Sequence, residues 1–108
     1  MRAYVLHPIR AENRGLRDPQ DALTEAVNLA LALDLDVVGA ETAPLPKARA
    51  GTLFGSGKVE AIGEKIAEEG VGLVIVDGQL SPVQQRNLEK AWKAKVLDRT
   101  GLILEIFG

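Results

Sequence analysis

The chain has 108 residues, 46% of them apolar, 26% charged and 4% aromatic, with a formal net charge of −2 and no cysteine. That is enough apolar material for one packed domain. Disulfides, thiolate metal sites and cysteine nucleophiles are excluded, as is nucleic-acid binding by bulk electrostatics, though a local basic loop is not. No apolar stretch approaches the length of a membrane span.

Ala3, Tyr4, Val5 and Leu6 predict a first strand closed by His7-Pro8, and residues 9–17 read as a loop. Asp18-Pro19 opens a helix, with an acidic N-cap, proline at the first helical position and Asp21 near the positive end of the dipole. Leu23, Ala26, Val27, Ala30 and Leu33 give it one apolar face. Val37, Val38 and Ala40 predict a second strand that Pro44 and Pro46 should end.

A basic, glycine-punctuated connection over residues 47–58 leads into a helix carrying Val59, Ile62 and Ile66, with Gly70 as its C-terminal stop. The unbroken run Leu73-Val74-Ile75-Val76 has the pattern of a strand covered on both faces, so it should lie centrally in a parallel sheet. Ser81 and Gln84 have capping-box spacing around Pro82, and Val83, Leu88, Ala91 and Trp92 should supply that helix's buried side. Lys95-Val96-Leu97 predicts a fourth strand and residues 100–107 a fourth helix. Strands alternating with helices predict a small three-layer α/β sandwich with a four-stranded parallel sheet and βαβ crossovers. Ligands of such sheets meet the carboxyl ends of the strands. The loops there carry His7 and Pro8, residues 47–58, residues 77–81, and Asp98-Arg99-Thr100.

Gly55-Ser56-Gly57-Lys58 suggests a phosphate loop but departs from the Walker A pattern. Thr52 stands where the first glycine should be, and Val59 replaces the magnesium-binding hydroxyl. What survives is a helix N-terminus, two glycines and a lysine, a weak anion site at Gly55, Ser56, Gly57 and Lys58. His7 is the only histidine, so a zinc site of ordinary composition is not expected. Asp98-Arg99-Thr100 reads first as a helix cap plus an ion pair. No nucleophile, base and oxyanion site come together, so no catalysis is expected of the chain itself. The apolar run over residues 100–108 reads as the start of a helix continuing into a longer protein.

Three blocks, residues 52–60, 80–89 and 96–107, together resemble the N-terminal domain of the HflX GTPases in order and spacing. The resemblance covers about the second half of the chain; the first half matches only in its β-α-β pattern. It implies an α/β domain over residues 1–99 and the start of a linker helix over residues 100–108, ahead of a Ras-like GTPase domain holding GTP and Mg²⁺. It implies a cytoplasmic protein that binds the large ribosomal subunit and splits or rescues stalled ribosomes under stress. On that reading this domain is a non-catalytic ribosome-binding and regulatory module, with Lys47, Arg49 and Lys58 as its contacts to rRNA phosphates. The rival readings are an ATP-binding domain using the helix N-terminus at Gly57-Lys58, and an interaction domain docking through its last helix. Leu102, Ile103, Ile106 and Phe107 would carry self-association or contacts to the chain's own linker and GTPase domain.

Overall fold

The computed structural model describes residues 1–10, 18–45 and 50–107, and the side chains of all but Arg10, Thr100, Glu105, Ile106 and Phe107 among them. The elements run β1 (Arg2–Arg10), α1 (Pro19–Ala32), β2 (Asp36–Leu45), α2 (Ser56–Glu69), β3 (Leu73–Val76), α3 (Pro82–Trp92), β4 (Lys95–Asp98) and α4 (Arg99–Phe107). The strands form one sheet in the order β2-β1-β3-β4, with every pairing parallel.

This order places a helix layer on each face. The chain steps from β1 to β2 in one direction, then returns across β1 to β3 and β4. Right-handed crossovers then send α2 and α3 to the face opposite α1. Leu23, Ala26 and Ala30 of α1 accordingly pack with Ala3, Val5, Leu73 and Ile75. On the other face Ile62, Ile66, Leu88 and Trp92 pack with Tyr4, Leu6, Val74 and Val76. Every residue of β3 is buried, as expected of an interior strand in a three-layer sandwich.

Local chemistry sets the helix ends. Asp18 accepts a hydrogen bond from the Gln20 N–H at 2.9 Å ahead of Pro19. Ser81 and Gln84 form the reciprocal capping box. Gly70 ends α2 at φ 65°, a conformation that favours glycine.

The first two strands run further than the sequence predicts. β1 passes through His7-Pro8 to Arg10. The Arg2 and Leu6 carbonyls accept from Gly72 and Asp77 on the β3 side. By the period of two, Pro8 also turns its backbone that way, beyond the point where β3 has ended, so its missing N–H costs no ladder bond. β2 continues through Pro44 to Leu45, because it is an edge strand and one of its sides needs no donors.

Two side chains of α3 also depart from expectation. Val83 is exposed at 60%, and Ala91 is exposed where burial was expected. The buried work of α3 falls to Leu88 and Trp92. At the far edge of the sheet, α3 closes the open side of β4. The Val96 N–H donates to Glu89 (3.1 Å), and the Val96 carbonyl accepts from the Gln85 amide (2.7 Å). An edge strand satisfied in this way has little left to offer another chain.

Candidate functional site

The sheet reverses its winding between β1 and β3, and a doubly wound sheet opens its ligand crevice at the carboxyl ends of such a pair. His7 of β1 and Asp77, which follows β3, meet there with the His7 Nδ1 3.0 Å from Asp77 Oδ2. Arg99, the first residue of α4, reaches the other oxygen of the same carboxylate, Nε to Oδ1 at 3.2 Å, and reaches Glu25 of α1 at 3.4 Å. The Asp77 side chain is only 5% exposed, so its charge needs partners on both oxygens, and it has them. Asp98 Oδ1 accepts from the Gly101 N–H at 2.8 Å and caps α4. The triplet Asp98-Arg99-Thr100 thus supplies the cap and ion pair expected of it. At this end of the sheet Gly78 packs closely on Pro8. A Cβ added at Gly78 would stand 3.1 Å from the Pro8 ring.

A second cluster lies at the start of α2. Glu41 of β2 accepts from Lys58 Nζ at 2.8 Å and Lys65 Nζ at 3.2 Å, and from the Tyr4 hydroxyl. Burial alone would raise the Glu41 carboxyl, but the hydrogen bonds from Lys58, Tyr4 and Lys65 outweigh it and hold the group at about 2. Burial first, and then the bond to Glu41, push the Tyr4 hydroxyl above its ordinary value. Tyr4 reaches Glu41 because its ring lies across Gly39. A Cβ there would come within 2.5 Å of the ring, so glycine is required by close approach. The Lys58–Glu41 pair had no signal in the sequence, since the two residues belong to elements joined only by the fold.

Ahead of α2, residues 50–55 are pinned from below. Leu53 and Phe54 are fully buried. The Phe54 N–H bonds back to the Thr52 carbonyl at 2.7 Å around Leu53, which takes φ 68°. The Asn87 amide holds the Gly51 carbonyl at 2.9 Å. Much of the polar flank over residues 84–87 is therefore structural: Gln84 caps, Gln85 binds β4 and Asn87 fixes this loop.

The glycines of the weak anion site are different. Neither Gly55 nor Gly57 has a positive φ, and nothing lies within 4 Å of a Cβ built on either. The N-terminus of α2 has no side-chain cap. Its backbone is open to approach, whereas its lysine already has a carboxylate partner. Lys47 and Arg49 lie outside the described residues.

Comparison with known proteins fixes the family. Residues 20–108 match the family described as GTP-binding GTPase N-terminal. The chain belongs to that family. A GTPase HflX of Magnetococcus marinus is 48% identical over 108 residues, covering 99% of this chain and 24% of that protein. A GTPase HflX of Escherichia coli is 33% identical, covering 98% of the chain and 24% of that protein. This chain is thus an HflX-like N-terminal domain and spans about a quarter of the length of these relatives. Among solved structures, one titled as SsGBP in complex with GDP superposes with a TM-score of 0.66 at 25% identity, covering 99% of this chain and 29% of that one.

GTP and Mg²⁺ do not fit the residues of this HflX-like domain. Thr52 and Val59 stand at two positions that a phosphate loop needs as glycine and hydroxyl, and Lys58 is bonded to Glu41. Among the described residues no group of three His, Asp or Glu side chains could hold a metal ion, and no helix is long and apolar enough to cross a membrane.

Proposed function

We propose that this domain is the non-catalytic ribosome-binding and regulatory module of a cytoplasmic HflX-like GTPase that binds the large ribosomal subunit and splits or rescues stalled ribosomes. In this reading GTP and Mg²⁺ belong to a GTPase domain elsewhere in the full-length protein, and residues 100–108 begin the linker toward it. The observation that carries the reading is the open N-terminus of α2. Gly55 and Gly57 leave its backbone N–H groups accessible to an rRNA phosphate, Lys58 lies in its first turn, and Lys47 and Arg49 precede it in the sequence.

An ATP site at the same helix end fits less well. A nucleotide polyphosphate brought to Lys58 would meet the Glu41 carboxylate, which is bonded 2.8 Å from the ammonium. Docking through α4 has its own support, because Ile103 and Leu104 are exposed at 40% and 66%. Leu102 takes no part in that surface: it is 1% exposed and packs into the α1 face of the sheet.

Co-sedimentation of the full-length protein with large subunits across a salt series tests the proposal. Lys47→Ala with Arg49→Ala should weaken binding and flatten its salt dependence. Unchanged binding and slope would remove this loop from the interface. Calorimetric titration of the 108-residue chain with GTP and Mg²⁺ should give no saturable binding, and micromolar binding would overturn the non-catalytic reading.

A further inference from the structure

His7 is the one histidine of the chain, and its contacts leave one ring nitrogen free. Its Nδ1 lies 3.0 Å from Oδ2 of Asp77, whose Oδ1 faces Arg99 Nε at 3.2 Å. A carboxylate held against a guanidinium can only accept, so the hydrogen of the His7–Asp77 contact sits on Nδ1. In the neutral ring Nε2 then carries a lone pair. Among the described residues nothing bonds Nε2, and no side-chain nitrogen or oxygen is both buried and without a partner, so Nε2 opens to solvent. The rest of the side chain is mostly covered, at 19% exposed, which holds the ring in place.

A carboxylate behind an imidazole does two things for a nucleophile. It fixes the ring, and it stabilises the cation that forms when Nε2 bonds to an electrophile. Asp77 is buried, so it acts on the ring with little screening by water. Arg99 stands on the same carboxylate and indicates which electrophile fits. Its Nε meets Asp77 and its Nη2 meets Glu25, while its Nη1 has no bond among the described residues. A guanidinium with an open terminal nitrogen suits phosphoryl oxygens, and the pair lies at the switch point of the sheet, where ligands of this architecture bind.

We propose that His7 is a phosphoryl-accepting residue, modified at Nε2 by a small donor of the acyl phosphate or phosphoramidate class. The Nε2 lone pair attacks phosphorus, and the bond from phosphorus to the leaving group breaks. The carboxylate or ammonia departs with that electron pair, and the Nδ1 proton stays on the ring facing Asp77. The new oxygens add negative charge beside Arg99 and compete with Asp77 and Glu25 for its guanidinium. Because Arg99 is the first residue of α4, the modification is felt at the start of that helix. The site is separate from the α2 N-terminus, so this inference does not depend on how the ribosome is bound.

The test incubates the 108-residue chain at neutral pH with phosphoramidate and, separately, with acetyl phosphate, and reads the product by phosphorus NMR and tandem mass spectrometry. One phosphoryl group should appear, on His7 and at Nε2 alone. It should form roughly tenfold faster or more than on a peptide of residues 2–10, where both ring nitrogens are open. His7→Gln should take up none. Asp77→Asn, at a temperature where it is still folded, should react several-fold more slowly and give some Nδ1 product, a change of regiochemistry that a purely structural role would not produce. In the modified parent the Arg99 Nε–H and the amides of Gly101 and Leu102 should shift. Transfer from either donor supports the proposal. Transfer from neither, a rate no higher than the peptide's, Nδ1 product in the folded parent, or a folded Asp77→Asn variant with unchanged rate and regiochemistry would each overturn it. Unshifted resonances at Arg99 and Gly101 would overturn its action on α4.

Discussion

Arg99 Nε lies 3.2 Å from Oδ1 of Asp77, so the first residue of α4 is tied to the residue that follows the interior strand β3. His7 holds the other oxygen of the same carboxylate, and Glu25 meets the guanidinium from α1. One buried carboxylate therefore joins β1, β3 and α4, and Arg99 extends the connection to α1.

Asp77→Asn should lower unfolding stability by about 2–3 kcal/mol, because a buried acceptor loses its charge while two donors keep their demand. Arg99→Ala should cost less, about 1 kcal/mol, since the guanidinium is more exposed than the carboxylate and water can replace part of the pairing. Urea unfolding of both variants and of the double variant gives the coupling. An Asp77→Asn variant as stable as the parent would mean that the joint contributes nothing to the fold.

Glu41 should give the domain an acid-sensitive stability. Its carboxyl is held at about 2, below its ordinary 4.5, so the native state favours the ionised form. A depressed carboxyl contributes stability that is fully present above its unfolded value and is lost as pH falls through the folded one. The gap in melting temperature between the parent and Glu41→Gln should therefore be widest above about pH 5 and close as pH falls toward 2. A gap that stays constant over that range would show that Glu41 acts through shape alone.

Gly39→Ala should destabilise by about 1–3 kcal/mol, because the new methyl enters the Tyr4 ring and neither β1 nor β2 can move without breaking the ladder. In a Tyr4→Leu background the same change should cost much less. Equal costs in both backgrounds, measured by thermal unfolding, would place the strain elsewhere.

Gly57→Ala separates folding from binding. Alanine inside a helix is favoured over glycine by roughly 0.5–1 kcal/mol, and nothing lies within 4 Å of the new Cβ. The variant should melt higher than the parent. If rRNA phosphate approaches the α2 backbone, the added methyl should also weaken large-subunit binding by the full-length protein. Higher stability with unchanged binding would remove the α2 N-terminus from the interface.

Much of this was readable in the sequence where the signal is local. Asp18-Pro19, the Ser81–Gln84 box and Gly70 mark helix ends through bonds within a few residues, and each stands in the structure. The run Leu73-Val74-Ile75-Val76 announced an interior strand through composition alone. The extent of β1 and β2 was not legible, because whether Pro8 and Pro44 break a strand depends on which side of it has a neighbour. The residues at the carboxyl ends of the strands could be named from the βαβ pattern. Their partners could not: His7 and Asp77 are brought together only by the parallel pairing of β1 and β3, and Glu41 meets Lys58 only once β2 and α2 are packed. Val83 and Ala91 matched an inward-facing period, yet Leu88 and Trp92 alone fill the space beneath α3.

α4 offers a test of core against surface within one helix. Leu102 is 1% exposed and packs with Val5, Ile75 and their neighbours, whereas Ile103 and Leu104 are exposed at 40% and 66%. Leu102→Ala should cost about 2–4 kcal/mol, the range for emptying a leucine site in a packed interior. Ile103→Glu with Leu104→Glu should leave the melting temperature within about 0.5 kcal/mol equivalent of the parent, since surface changes away from buried partners are nearly neutral. That pair should instead change association. Two adjacent exposed apolar side chains form a patch that a second copy or a following segment would cover, and charging it should move sedimentation of the 108-residue chain toward the monomer at high concentration. A parent that sediments as a monomer at every concentration would show that this patch does not self-associate. A loss of cooperative unfolding in the Ile103→Glu, Leu104→Glu variant would show that α4 is buried more deeply than its leucines indicate.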